Sequence, residues 1–250
     1  MGARPWFDEA FLGDYLAVYP HRDVAAARAE VGGLAARELG ALRGRAGAAG
    51  RVLDLGCGFG RHLLALREQG FAAFGLDRSL ELLRLADGAL RGRTARGDFR
   101  ALPFRSKSFG ALLMLFSSFG YFEDAENERV LAEVARVLAP GGHLHVVVPF
   151  NHPFHEYPAD YQRWTVDGLR RFLGRFEVLD AGVRTGPTAT LLTFVLEYVK
   201  LCAPRPLRKP AYAAAGWLLW PLRYLDVWLN RRPDAHVLAN SIYALVRKPR

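Results

Sequence analysis

Cysteine is nearly missing from this chain of 250 residues: there are two, Cys57 and Cys202. They lie far apart and fit no metal-ligand spacing, which excludes both a disulfide framework and a zinc pattern. Such usage fits a reducing compartment, so a cytoplasmic protein is the expectation. The opening Met1-Gly2-Ala3-Arg4-Pro5-Trp6 lacks the apolar run of a secretory signal. No uncharged apolar run reaches the length of a membrane span. Lysine is scarce beside arginine, while Ala, Leu and Gly are abundant. The net charge of +9 would suit nucleic acid or a membrane surface, but a GC-rich coding bias toward arginine weakens it as evidence for a polyanionic partner.

What is present is an apolar content of 51%, enough for a proper core, and one organising stretch, Val52-Leu53-Asp54-Leu55-Gly56-Cys57-Gly58-Phe59-Gly60-Arg61. Val52 to Leu55 read as a short strand, and three glycines follow at every second position. An amphipathic helix starts at Arg61, with Leu63, Leu64 and Leu66 as its apolar positions. Strand, glycine turn and helix together hold nucleotide-like cofactors, because glycine lets the backbone turn tightly and approach the ligand. The dinucleotide fingerprint fails, since its last position falls on Arg61, and no G-K-[ST] is present for a phosphate loop. Taken alone, the motif also suits an ordinary βα turn.

Further signals follow in order. Apolar residues at helical spacing predict a helix from about Asp23 to Leu42, interrupted by Gly32, Gly33 and Gly40. The aromatic segment before it, Trp6 to Arg22, is a candidate lid or a packing surface for that helix. A second strand, Ala72 to Leu76, ends at Asp77, about 20 positions past the glycines, where a ribose-binding carboxylate belongs. The alternative is that Asp77 caps the next helix, Leu80 to Leu90. Gly97-Asp98-Phe99 follows a third short strand; Asp98 would accept from an adenine amino group and Phe99 would lie beside the ring. A fourth strand, Leu112 to Phe116, opens into Ser117-Ser118-Phe119-Gly120-Tyr121-Phe122. A helix over Asp124–Leu138 closes at Pro140-Gly141-Gly142. Strands at His143–Val148, Phe176–Arg184 and Asn240–Arg247 complete an alternation that predicts a mainly parallel, doubly wound α/β sheet.

These pieces, Val52 to Gly60, Asp77, Gly97-Asp98 and Arg136 to Gly142, resemble class I S-adenosylmethionine (SAM) methyltransferases of the small-molecule type. The resemblance covers residues 50–184 and the final strand. It implies a Rossmann-like, seven-stranded sheet with an antiparallel last strand, in one domain over 1–250. Within it, 1–49 would form an N-terminal helical lid, 50–184 and 240–250 the SAM-binding core, and 185–239 a helical insertion. Asp54, Gly56, Gly58, Asp77, Arg78, Asp98, Phe99, Leu115 and Phe116 match cofactor positions, and Tyr15, Tyr19 and Arg22 become lid candidates near the methionine carboxylate. No metal is implied.

The family's reaction is an in-line displacement at the sulfonium methyl, which needs a base only if the acceptor must lose a proton. His155 is the candidate, with His152 and Asp160 nearby. The Asn/Asp-Pro-Pro-Tyr pattern of adenine amino methylation is absent, which makes nucleic acid an unlikely acceptor class. The insertion holds Trp217, Trp220, Tyr224 and Trp228 beside Pro204-Arg205-Pro206-Leu207-Arg208-Lys209-Pro210. It suits peripheral membrane contact, a wall for an amphiphilic substrate, or a helical cover or dimer contact. The arrangement is similar to uncharacterised methyltransferases thought to act on cell-surface glycans or lipid-linked sugars. The expected activity is methyl transfer to an O or N atom of a small, amphiphilic or glycosidic acceptor. The alternatives are an RNA methyltransferase, or a SAM-binding protein without turnover.

Overall fold

The computed structural model describes residues 23–116, 118–154 and 162–250. Seven strands share one sheet: β1 (Arg51–Leu55), β2 (Ala72–Asp77), β3 (Thr94–Arg96), β4 (Phe109–Met114), β5 (Leu138–Pro149), β6 (Glu177–Thr185) and β7 (Ser241–Arg247). Their order is β3-β2-β1-β4-β5-β7-β6. β1 pairs in parallel with β2 and β4, β2 with β3, and β4 with β5, whereas β7 runs antiparallel to both its neighbours. The doubly wound, mostly parallel sheet with a reversed last strand is therefore as the sequence implies.

Strands covered on both faces read as continuous apolar runs, and every residue of β4 is buried. Alternate residues feed two cores. Leu53, Leu55, Leu112 and Met114 face α4 (Asp124–Val137) and α5 (Val166–Phe172), which contribute Val130, Leu131, Val134, Leu169 and the adjoining Leu173. Val52, Ala111 and Leu113 face the other way, against α1 (Val24–Leu34) and α2 (Arg61–Glu68), where Ala27, Val31, Leu63 and Leu66 meet them.

Several boundaries differ from expectation. The first helix ends at Leu34, and a π turn (Ala35–Leu39) and a 3-10 turn (Gly40–Leu42) carry the rest. The helix expected over Leu80–Leu90 stops at Arg84 (α3, Leu80–Arg84); Asp87 then caps a separate 3-10 turn by accepting from the Ala89 N–H at 2.7 Å. Strand β4 starts at Phe109, earlier than expected. Gly110 can enter it because a Cβ there would lie 2.1 Å from the Ala49 carbonyl oxygen. It also stops earlier: Phe116 has a left-handed φ of 52° that no strand tolerates. Strand β5 runs straight through Pro140-Gly141-Gly142, with a register shift against β4 between Phe109 and Ala111.

Between β6 and β7 lie α6 (Pro187–Cys202), α7 (Arg208–Leu219) and α8 (Asp226–Leu229), joined by 3-10 turns. The Asp226 carboxylate accepts from the Thr188 and Ala189 N–H groups at 2.7 and 2.9 Å. It thereby satisfies donors that the first turn of α6 leaves open. No described helix is long and apolar enough to cross a membrane.

Candidate active site

The strand order reverses between β1 and β4, and the crevice at such a switch point is where open α/β sheets take ligands. Two loops meet there. After β1 the chain passes through Gly56, Gly58 and Gly60 at φ of 84°, 54° and 85°, all left-handed. The Gly56 and Cys57 N–H groups donate to the Leu76 carbonyl at 2.8 and 3.2 Å, tying the turn to the end of β2. A Cβ on Gly56 would sit 2.6 Å from Ser118 Oγ and 3.6 Å from Phe99 Cζ. The turn is thus closely backed by the loop after β4 and by the Phe99 ring. Ser118 Oγ is held in place by donating to the Leu115 carbonyl at 2.6 Å.

Asp77, at the end of β2, braces the same turn. One carboxylate oxygen accepts from the Gly58 N–H at 2.7 Å and the other from the Ser79 N–H at 2.8 Å. Burial pushes its carboxyl up, against these backbone bonds, which pull it down. The Arg78 N–H adds a third backbone bond, which leaves the carboxylate part of its acceptor capacity. Asp77 thus shapes the turn and does not cap the helix that follows it. The next helix is capped by Ser79, whose hydroxyl accepts from the Leu82 N–H.

Asp54 is 1% exposed, and its Oδ2 has no hydrogen-bond partner among the described residues. Burial pushes its carboxyl up to about 6, with the charges of His62 and Arg61 opposing and that of Asp77 adding to the rise. His62 Nδ1 lies 3.7 Å from that oxygen. Glu30 of α1 accepts from the other side of the ring, with His62 Nε2 at 2.8 Å, and contacts Arg61 Nη1 at 3.1 Å. Burial would raise the Glu30 carboxyl, but the bond to His62 and the Arg61 charge hold it below the usual range. The Arg61 guanidinium lies over the Phe116 ring at 4.6 Å, and the His62 ring stacks on it at 5.5 Å.

Asp98 is the most altered of the expected positions. Arg78 Nη1 and Arg100 Nη2 each donate to its Oδ2 at 2.7 Å, and Arg100 also pairs with Glu126. The Arg100 bonds hold the Asp98 carboxyl low, against partial burial. Arg78 thus serves Asp98 as a counter-charge. Tyr15, Tyr19, Arg22 and His155 lie outside the described residues. Sequence reasoning missed Glu30, Arg61, His62 and Ser118 as parts of the site. Arg61 and His62 directly follow the last glycine, a signal that would have found them; nothing local marks Glu30.

The arrangement fits SAM. Two buried carboxylates suit ribose hydroxyls and an ammonium group, and Asp54 Oδ2 takes no hydrogen bond among the described residues. The glycine turn leaves backbone approachable, and Phe99 offers an aromatic face beside it. Residues 52–142, from β1 into β5, match the family of methyltransferase domains. This stretch is similar to methyltransferase domains. Relatives of several kinds match the chain. A demethylmenaquinone methyltransferase of Tropheryma whipplei is 38% identical over 41% of this chain and 42% of that protein. A Streptomyces venezuelae dTDP-3-amino-3,4,6-trideoxy-alpha-D-glucopyranose N,N-dimethyltransferase is 31% identical over 58% of this chain and 59% of that protein. The chain thus spans less than half to about three-fifths of these two curated relatives. In fold, a Pyrococcus horikoshii protein of solved structure superposes with a TM-score of 0.53 at 17% identity, over 99% of this chain and 97% of its own.

Proposed function

We propose that the chain transfers a methyl group from SAM to an oxygen or nitrogen atom of a small acceptor, amphiphilic or glycosidic in character. The observation that carries the reading is the pair of buried carboxylates flanking the left-handed glycine turn, Asp54, whose Oδ2 takes no hydrogen bond among the described residues, and Asp77, which braces the turn. The named acceptors of the two curated relatives, demethylmenaquinone and an amino sugar, support a small-molecule acceptor. SAM supplies a methyl group already activated on a cationic sulfur, so the protein's task is orientation and exclusion of water.

Asp77 would take the ribose hydroxyls, Asp54 the amino acid's ammonium group, and Gly56 and Gly58 the backbone contacts. Phe99 would lie beside the adenine, with Asp98 fixed by Arg78 and Arg100 at its edge. Leu115 and Phe116 would form the wall nearest the methyl group. A cavity of about 720 Å³ lies on the far half of the sheet. Glu30, His145, Arg184, His236 and Tyr243 are among its lining residues, so Glu30 faces both this space and the Arg61–His62 pair.

Calorimetry with SAM comes first, then a screen across acceptor classes that reads release of S-adenosylhomocysteine. Saturable SAM binding with turnover on a small hydroxyl or amine acceptor is the expected result. Absence of SAM binding would overturn the enzymatic reading. Binding with no turnover on any class would leave a SAM-binding protein instead.

A further inference from the structure

The helices between β6 and β7 leave most of their apolar side chains uncovered. Along α6, Leu191, Phe194, Tyr198 and Leu201 are 54%, 45%, 68% and 73% exposed. Their spacing of three, four and three residues puts them on one stripe of the helix. Helix α7, the 3-10 turn after it and α8 bury no residue at all. There Trp217 is 84% exposed, Leu218 72%, and Trp220, Tyr224, Val227 and Trp228 all more than half. Three of the chain's five tryptophans stand on this one segment.

Charge on the segment says what covers it. Residues 186–239 hold seven Lys or Arg against three acids, Glu197, Asp226 and Asp234. Asp226 is turned inward as the cap of α6, and Glu197 pairs with Lys200 at 2.9 Å. The other six, Arg205, Arg208, Lys209, Arg223, Arg231 and Arg232, ion-pair with no described carboxylate. Arg223 lies over the Trp220 ring at 3.3 Å, and Arg232 over Trp228 at 4.3 Å. Exposed Trp and Tyr interleaved with unneutralised basic residues, on helices too short to span, is the chemistry of the water–lipid boundary. Rings sit at headgroup depth, and cations meet anionic headgroups.

We infer that α6, α7 and α8 form a docking surface for an anionic lipid bilayer, against which the protein lies peripherally. Tryptophan and tyrosine enter the headgroup layer, while Arg205, Arg208 and Lys209 pair with lipid phosphates. The inference is independent of methyl transfer, because it uses none of the residues placed against SAM.

Flotation of the purified full chain with vesicles of phosphatidylcholine alone, or mixed with phosphatidylglycerol, tests it. Expected is binding to the anionic vesicles, loss at high salt, and a blue-shifted tryptophan emission quenched by brominated lipid. Reversal of three charges, Arg205→Glu with Arg208→Glu and Lys209→Glu, weakens binding by about fivefold per charge or more. Trp217→Glu weakens binding and reduces the emission shift. An unchanged thermal transition in both variants shows that the fold has survived. Failure to bind anionic vesicles at low salt overturns the inference, as does binding indifferent to the three reversals. A dimer in light scattering that Trp217→Glu splits, with no vesicle binding, also overturns it and assigns the face to a second copy.

Discussion

Asp54 carries the most specific consequence at the scale of single residues. Its carboxyl is raised to about 6 in the folded chain, chiefly by burial, and would stand near 3.9 unfolded. Between those values the folded state holds the extra proton, so stability falls as pH rises through that window and stays reduced above it. A shift of this size corresponds to about 3 kcal/mol at neutral pH. Without ligand, Asp54→Asn is therefore expected to unfold at a higher denaturant midpoint than the parent at pH 7.5, with the difference vanishing toward pH 4. The same variant should bind SAM at least tenfold more weakly by calorimetry, since the ammonium loses its counter-charge. Asp77→Ala removes the acceptors of the Gly58 and Ser79 N–H groups. It should abolish measurable SAM binding and lower stability by about 1–3 kcal/mol. Gly56→Ala would place Cβ 2.6 Å from Ser118 Oγ in a left-handed backbone, with a conformational cost alone of about 1–2 kcal/mol. That Asp54, Gly56, Gly58 and Asp77 gather at one turn was legible because strand, turn and acid are local in sequence. Glu30 was not, because only the packing of α1 on α2 brings it to Arg61 and His62.

Among the elements, the helices were read well where caps and period agreed, and poorly where a short polar break intervened. Asp87-Gly88 cut the helix after β2, a signal passed over because the apolar spacing continued to Leu90. Strand β4 starts before the expected Leu112 because Gly110, without a Cβ, can pass the neighbouring carbonyl of Ala49. Asp226, distant in sequence, reaches back to the start of α6. Asp226→Ala is expected to cost about 1–2 kcal/mol, as losing a helix cap does. The loss should fall on the helices between β6 and β7, so hydrogen exchange would speed up over residues 187–229 while β1 and β4 keep their protection. Glu30→Gln takes away the carboxylate that Arg61 and His62 share. Thermal unfolding should detect a loss of about 1–3 kcal/mol, within the range for breaking a charge-assisted bond.

The whole molecule should report its ligand through linkage. SAM at about 100 times its dissociation constant would add roughly 2.7 kcal/mol, raising the melting temperature by roughly 5–10 °C for a chain of this size. A scan without such a rise would contradict the assignment of the crevice. The sheet also has a consequence for how the chain is made. Among the described residues, β6 finds its hydrogen-bonded neighbour only in β7, which slots between it and β5. A nascent polypeptide that has emerged through residue 239 therefore has one strand with nothing to zip to and a run of greasy helices already outside the ribosome. Strand β7 locks the architecture, and until it arrives the half-made protein is at its most adhesive.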